Sequence, residues 1–157
     1  MLEWFRVFLE VMMNKIDWCR KQKKGIELVE RKHHLSEAYM GDADESLEVC
    51  LNNKGKWKVI SGYYACYNAF YSILMKCGVK CEIHDCTIEL MKFFNFNDED
   101  INFLKNLKEK RIQTQYYLKN VDEEEIKVKK FIDLCREILI SLNDNEIEKI
   151  RREIDEI

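Results

Sequence analysis

Arg111 is the residue whose position is hardest to explain by packing alone. Leu104 and Leu107 mark one face of a helical stretch, and continuing along it by four and then seven residues reaches Arg111 and Leu118. A guanidinium buried on an apolar seam without a partner is strongly unfavourable, so it needs a carboxylate, a cluster of carbonyls, a phosphate or a subunit cleft. Two readings follow. Either the side chain snorkels to water from the rim, or it lines a cleft and binds a phosphate. Lys105, Lys108 and Lys110 share that helix and form either a local positive patch or a solvated face. A second basic group, Lys15, Arg20, Lys21, Lys23 and Lys24, closes the first helix, where the helix dipole and solubility account for it. Cys77, Cys81, His84 and Cys86 lie within ten residues and offer three sulfurs and a nitrogen, a donor set suited to tetrahedral zinc. Their spacing straddles a helix end and Cys77 falls on a core stripe, so structural roles are expected and no metal. His84 is expected to make a helix-terminal hydrogen bond, and His33 and His34 to lie on the surface.

Helical periodicity accounts for nearly every segment that must position these groups. Residues 1 to about 21 carry Phe5, Phe8, Leu9, Met12, Ile16 and Cys19 on one stripe. Trp4, Val7, Val11 and Trp18 form a second flank, so this helix is expected to be covered on two sides. Gly25 caps it, and residues 26–33 are open between loop and helix. A second helix over about 35–51 groups Leu35, Ala38, Tyr39, Ala43, Leu47, Cys50 and Leu51. The third, over about 57–77, is apolar at fifteen of twenty-one positions and belongs at the centre. Gly78 closes it, and a short fourth helix follows over about 85–94. Asn97, Asp98, Glu99 and Asp100 start a fifth, which runs to about 118. Asp122 and Glu125 resemble a capping box for the sixth, with Val128, Phe131, Ile132, Cys135, Ile138, Leu139 and Leu142 as its stripe. The tail places Ile147, Ile150, Ile154 and Ile157 on one side, against the body or a partner subunit.

The whole reads as a single all-α domain over 1–157, an up-and-down bundle of about five to seven helices. No prolines and only five glycines in 157 residues argue against a barrel or sandwich of short strands. With 46% hydrophobic and 35% charged residues the chain is globular rather than disordered. A net charge of -3 excludes a global basic field, so any polyanion site is a local patch and DNA is not an expected partner. The seven cysteines are odd in number and several sit in apolar helical runs, which argues against a secreted disulfide framework. Charges interrupt the apolar N-terminus and polar residues interrupt residues 59–75. Neither a leader nor a membrane span is therefore expected, and the chain reads as cytoplasmic.

Residues 57–91, WKVISGYYACYNAFYSILMKCGVKCEIHDCTIELM, resemble the signature of HEPN (higher eukaryotes and prokaryotes nucleotide-binding) domains, in their small stand-alone prokaryotic and archaeal branch. The likeness rests on the aromatic helix with Tyr63, Tyr64, Tyr67 and Phe70, the helix-ending Gly78, and Lys80 and His84. RIQTQYY over 111–117 continues it, where the family carries an arginine-centred motif, and residues 13–28 are similar to archaeal members. The likeness covers about 13–140 and is strongest over 57–118, with residues 1–12 outside it.

The resemblance implies a helical bundle that pairs as a homodimer, with a cleft lined by the arginine motif and no cofactor. It also implies partnership with a minimal nucleotidyltransferase acting as antitoxin, and RNA or a nucleotide as ligand. Arg111, Lys108, Gln115 and Tyr64 are the nucleotide-binding candidates, and Arg111 and Tyr116 the catalytic ones. Many family members are metal-independent endoribonucleases whose arginine is followed four to six residues later by histidine. Here Tyr116 stands five residues after Arg111, and Ile112, Thr114 and Gln115 replace the asparagine, alanine and aspartate of the branch's Arg-Asn-x-Ala-Asp-Tyr version. RNA cleavage without metal needs a proton-transfer group with a pKa near ~7, and tyrosine titrates near ~10. The expectation is therefore a nuclease-degenerate binding module, with a toxin ribonuclease using Arg111 in a dimer cleft as the alternative. Tyr116 and Tyr117 are expected to pack as ordinary aromatics.

Overall fold

The computed structural model describes residues 2–117 and 125–157, and the side chains of all of these but residues 6, 8–14 and 117. The elements are α1 (Leu2–Lys21), β1 (Glu27–Leu28), α2 (His33–Asn52), α3 (Lys56–Cys77), β2 (Val79–Lys80), α4 (His84–Glu89), a 3-10 turn (Leu90–Phe93), α5 (Asp98–Tyr117), α6 (Glu125–Ser141) and α7 (Asp144–Asp155). The fold class is all-α, as the periodicity requires.

Helix α3 organises the rest because it has almost no polar face. Tyr63, Ala65, Cys66, Ala69, Phe70, Ile73 and Leu74 are wholly buried, each large side chain contributing about 1.5–3 kcal/mol by leaving water. Helices α2, α5, α6 and α7 all pack on it. The short 53–55 link makes α2 and α3 a helical hairpin, and Ser36 and Ser72 fasten it by exchanging hydroxyl-to-carbonyl bonds of 2.8 Å in both directions. Within α2, Ser36, Met40, Ala43 and Cys50 face inward. Ala38, expected on that face, is exposed.

Gly78 ends α3 in the left-handed conformation (φ +71°) and its N–H returns to the carbonyls of Leu74 and Met75. A Cβ there would lie 2.4 Å from the Val29 carbonyl oxygen. That crowding reflects a feature that periodicity missed in residues 26–33: β1 pairs antiparallel with β2, Glu27 opposite Lys80 and Leu28 opposite Val79. Arg151 of α7 locks the junction, its Nη1 donating to the carbonyls of Val29, Cys77 and Gly78 at 2.8–2.9 Å. Ile147, Ile150 and Ile154 are buried, so the tail packs on its own chain. Asn97 and Asp100 cap α5 reciprocally, each side chain accepting from the other's backbone N–H. Leu118 and Asp122 lie outside the described residues, as do the side chains of Phe8, Leu9, Val11 and Met12. The carboxylate of Glu125 pairs with Lys58 of α3.

Two expectations are corrected at α1. Ile16 and Cys19 are wholly buried, but Trp4, Phe5, Val7 and Trp18 are all more than half exposed. One face is therefore covered, not two. Cys19 also forms a disulfide with Cys86 of α4. Both cysteines are buried, and the odd total of seven concealed one matched pair beside five buried thiols outside any disulfide. No helix among the described residues is long and apolar enough to cross a membrane.

Candidate functional site: an arginine and a histidine on a tyrosine face

Tyr63 and Tyr64, successive residues on α3, form the floor of the site. Helix α5 packs along this face, burying Leu104 and Leu107 completely. One turn beyond Leu107 the same face delivers Arg111, as the seam argument required. Its Cζ lies 4.9 Å from the Tyr63 ring centroid and 5.6 Å from that of Tyr64, and its Nη1 donates to the Tyr64 hydroxyl at 3.0 Å. A guanidinium above aromatic faces gains about 0.5–2 kcal/mol. Among the described residues no carboxylate pairs with it, and its buried Nε has no hydrogen-bond partner. The side chain neither snorkels freely nor sits neutralised. It is a half-buried cation held by phenols.

His84 enters the same cluster from α4. Its ring stacks on Tyr67 at 4.2 Å between centroids and also lies against Tyr63 and Tyr64. Nδ1 and the Tyr63 hydroxyl are 2.7 Å apart. His84 therefore does not make the helix-terminal hydrogen bond expected of it; it bonds across to α3. Burial first, and then the Arg111 and Lys108 charges, lower its pKa below the ordinary 6.5, so the imidazole is neutral at pH 7. The tautomer follows from Tyr63. That phenol is wholly buried, burial raises its pKa far above the usual value, and His84 is its one hydrogen-bond partner among the described residues. If Nδ1 carried the proton, the phenol hydrogen would have no acceptor, at a cost of about 1–3 kcal/mol. Tyr63 therefore donates to Nδ1, which leaves Nε2 bearing the hydrogen. The ring presents an N–H donor rather than a lone pair.

Lys108, one turn before Arg111, pairs with Asp85, and this bond holds the Asp85 carboxyl below its normal range. Lys105 shares the buried Glu89 carboxylate with Lys15, at 3.3 and 3.2 Å. Lys105 and Lys108 thus tie α5 to α4 rather than forming a purely solvated face. Of the candidate residues, the structure brings together Arg111 and Tyr64, with Lys108 at the edge. Gln115 and Tyr116 are exposed, Tyr116 at 66%. Tyr116 therefore neither packs as an ordinary aromatic nor joins the cluster, because five residues past Arg111 is well over a helical turn away from its face. The Tyr117 side chain lies outside the described residues.

The cysteine–histidine set does not converge. Cys86 is in the disulfide, the Cys81 thiol donates to the Ile83 carbonyl, and burial pushes the Cys77 thiol up to about 12. Among the described residues no three potential ligands gather around a common point.

His84 is the member that sequence reasoning missed, although a signal existed. Gly78 turns the chain back along α3, and six extended residues span about 20 Å. Fourteen helical residues, from Gly78 back to Tyr64, span about 21 Å. Position 84 therefore returns beside the tyrosine pair. Comparison of the chain with protein-family models, curated proteins and solved structures returns no match.

Proposed function

We propose that the Tyr63–Tyr64–His84–Arg111 cluster binds the phosphate of a nucleotide or RNA. The chain would then act as the HEPN component of a toxin–antitoxin-like pair, an up-and-down bundle working beside a minimal nucleotidyltransferase. The observation that carries this reading is Arg111, a half-buried cation that no carboxylate among the described residues pairs with and whose buried Nε none of them hydrogen-bonds. A protein keeps such a charge where a ligand supplies the missing anion. The Nε2–H of His84 and the ammonium of Lys108 are further donors of the right kind. The aromatic floor suits a nucleobase as well as a guanidinium. The family likeness of residues 57–118 supports the nucleotide or RNA assignment.

The second reading, a metal-independent endoribonuclease, gains from one observation. An imidazole stands beside Arg111 even though the arginine motif lacks its histidine. A neutral imidazole whose Nδ1 lone pair is taken by Tyr63 can neither deprotonate a 2′-hydroxyl nor, unless first protonated, donate a proton to a leaving oxygen, so binding is the better-supported activity. Calorimetric titration with AMP and a short single-stranded RNA tests the first reading. Binding lost in Arg111→Met upholds it, and no binding by the wild type refutes it. RNA cleavage abolished in both Arg111→Met and His84→Gln would establish the second.

A further inference from the structure

Tyr64 belongs to two places at once. Its hydroxyl accepts from Arg111 of α5, and it also lines a groove of about 450 Å³ between α2 and α3, to which α5 contributes nothing. Small-molecule sites occupy about 300–1,000 Å³. Trp57, Ile60 and Tyr64 reach the groove from one face of α3, at steps of three and four residues, and Asp42, Glu45 and Val49 from one face of α2, spaced alike. Trp57 is 59% exposed; among the described residues its ring meets only the Lys56 ammonium, 5.1 Å from the centroid. The register of the hairpin follows from two bonds, Ser36 to Ser72 and Lys58 to the Cys50 carbonyl. It sets Glu45 level with Tyr63 and Asp42 level with Cys66, so both carboxylates stand beside Tyr64 across the groove. Asp44, between them in sequence, pairs with Arg136 of α6, whereas Asp42 and Glu45 have no cation partner among the described residues.

Charge therefore changes sign across Tyr64, from a guanidinium on the α5 side to carboxylates on the α2 side. A matching ligand carries an anion at one end and a flat face edged with N–H donors at the other. A basic protein segment suits the carboxylates but not Arg111. A nucleotide whose phosphate meets Arg111 suits both: its ribose crosses Tyr64, its base enters the groove, and Trp57 and Tyr64 offer rings for stacking. Carboxylates accept hydrogen bonds and do not donate them, so they discriminate among bases. The Watson–Crick edge of guanine presents two adjacent donors, its ring N–H and its amino group, which one carboxylate accepts together. Adenine and cytosine set a bare ring nitrogen beside a single amino donor, and uracil flanks its one N–H with two carbonyl oxygens. Each of these turns an acceptor toward the carboxylate.

We infer that the α2–α3 groove is a guanine subsite, in which the base of a guanosine 5′-phosphate, free or within an RNA, stacks by Trp57 and Tyr64 and donates to Asp42 or Glu45. This rests on Arg111 as the phosphate anchor. Calorimetric titration of the full chain should find GMP bound about 10-fold more tightly than AMP, the discrimination of one bidentate pair. Asp42→Asn with Glu45→Gln, both at exposed positions, should bring the two affinities within about threefold while helical circular dichroism is retained. Trp57→Ala should weaken both nucleotides about 10-fold through loss of a stacking surface. The 5′-phosphorylated dinucleotide pGpU should likewise outbind pApU, and its affinity relative to GMP tells an RNA chain from a free nucleotide. Equal affinities of the wild type for GMP and AMP, a GMP preference that survives the double substitution, or no loss in Trp57→Ala would each overturn the guanine subsite and leave the phosphate reading of Arg111 standing. Binding of neither nucleotide would overturn both.

Discussion

Replacing Arg111 with methionine separates a binding arginine from a structural one, because the two roles predict stability effects of different size. The substitution removes a charge-assisted hydrogen bond to Tyr64, a loss of about 2 kcal/mol. Contact with two aromatic rings adds roughly 0.5–1 kcal/mol each at a half-exposed site. Against this, it removes the buried, unpartnered Nε, a penalty of about 1–3 kcal/mol. It also places an apolar chain of similar length on the tyrosine faces, for about 1 kcal/mol. The net change lies between a gain of about 1 kcal/mol and a loss of about 2 kcal/mol, whereas breaking a true buried ion pair costs about 3–5 kcal/mol. Urea unfolding near pH 7 reads the difference as a shift of midpoint at constant slope. Affinity for AMP should meanwhile fall by about 2–3 kcal/mol, or roughly 30- to 150-fold. A stability loss above about 3 kcal/mol with AMP binding intact would refute the reasoning and make Arg111 a strut.

Further outcomes follow from the same geometry. The lowered pKa of His84 means that the unfolded chain takes up a proton below about pH 6.5 while the native one does not, so stability falls with pH below that point. Urea midpoints at about pH 7.5 and 5.5 should therefore differ less in His84→Gln than in the wild type. A bound anion favours the imidazolium, so sulfate, whose own charge is constant in this range, should bind more tightly as pH falls from about 7.5 to 5.5. Cys86→Ser opens a disulfide that spans 67 residues and should cost up to about 4 kcal/mol under oxidising conditions. A reductant should then produce no further change. Gly78→Ala forces a side chain into the left-handed conformation with its Cβ 2.4 Å from the Val29 carbonyl, and should lower the melting temperature by more than the few degrees that about 1 kcal/mol represents.

The parts of this molecule that were legible beforehand are those governed by local periodicity. The apolar run of α3, the Gly78 stop and the capping pair at Asn97 each depend on residues within a few positions of one another, and the helices follow. Arg111 was legible for the same reason, since its oddity is an interruption of a 3.6-residue repeat. What escaped depends on distant segments. The pairing of Glu27 with Lys80 has too few residues to leave a period-2 pattern. Cys19 and Cys86 are joined by two helices that meet only in the fold. His84 lies 21 residues from Tyr63, and its role depends on where the chain goes after Gly78. Tyr116 misled for the opposite reason: a match of spacing suggested a partner for Arg111, but helical rotation carries it to water.

The side-chain nitrogen resonances of Arg111, followed by NMR as AMP is added to the intact protein, report whether this guanidinium grips the phosphate. They should shift with saturation, and the His84 imidazole should move toward its protonated form in the same titration. Resonances that stay in place while AMP is bound elsewhere, or not bound at all, would contradict phosphate binding by Arg111.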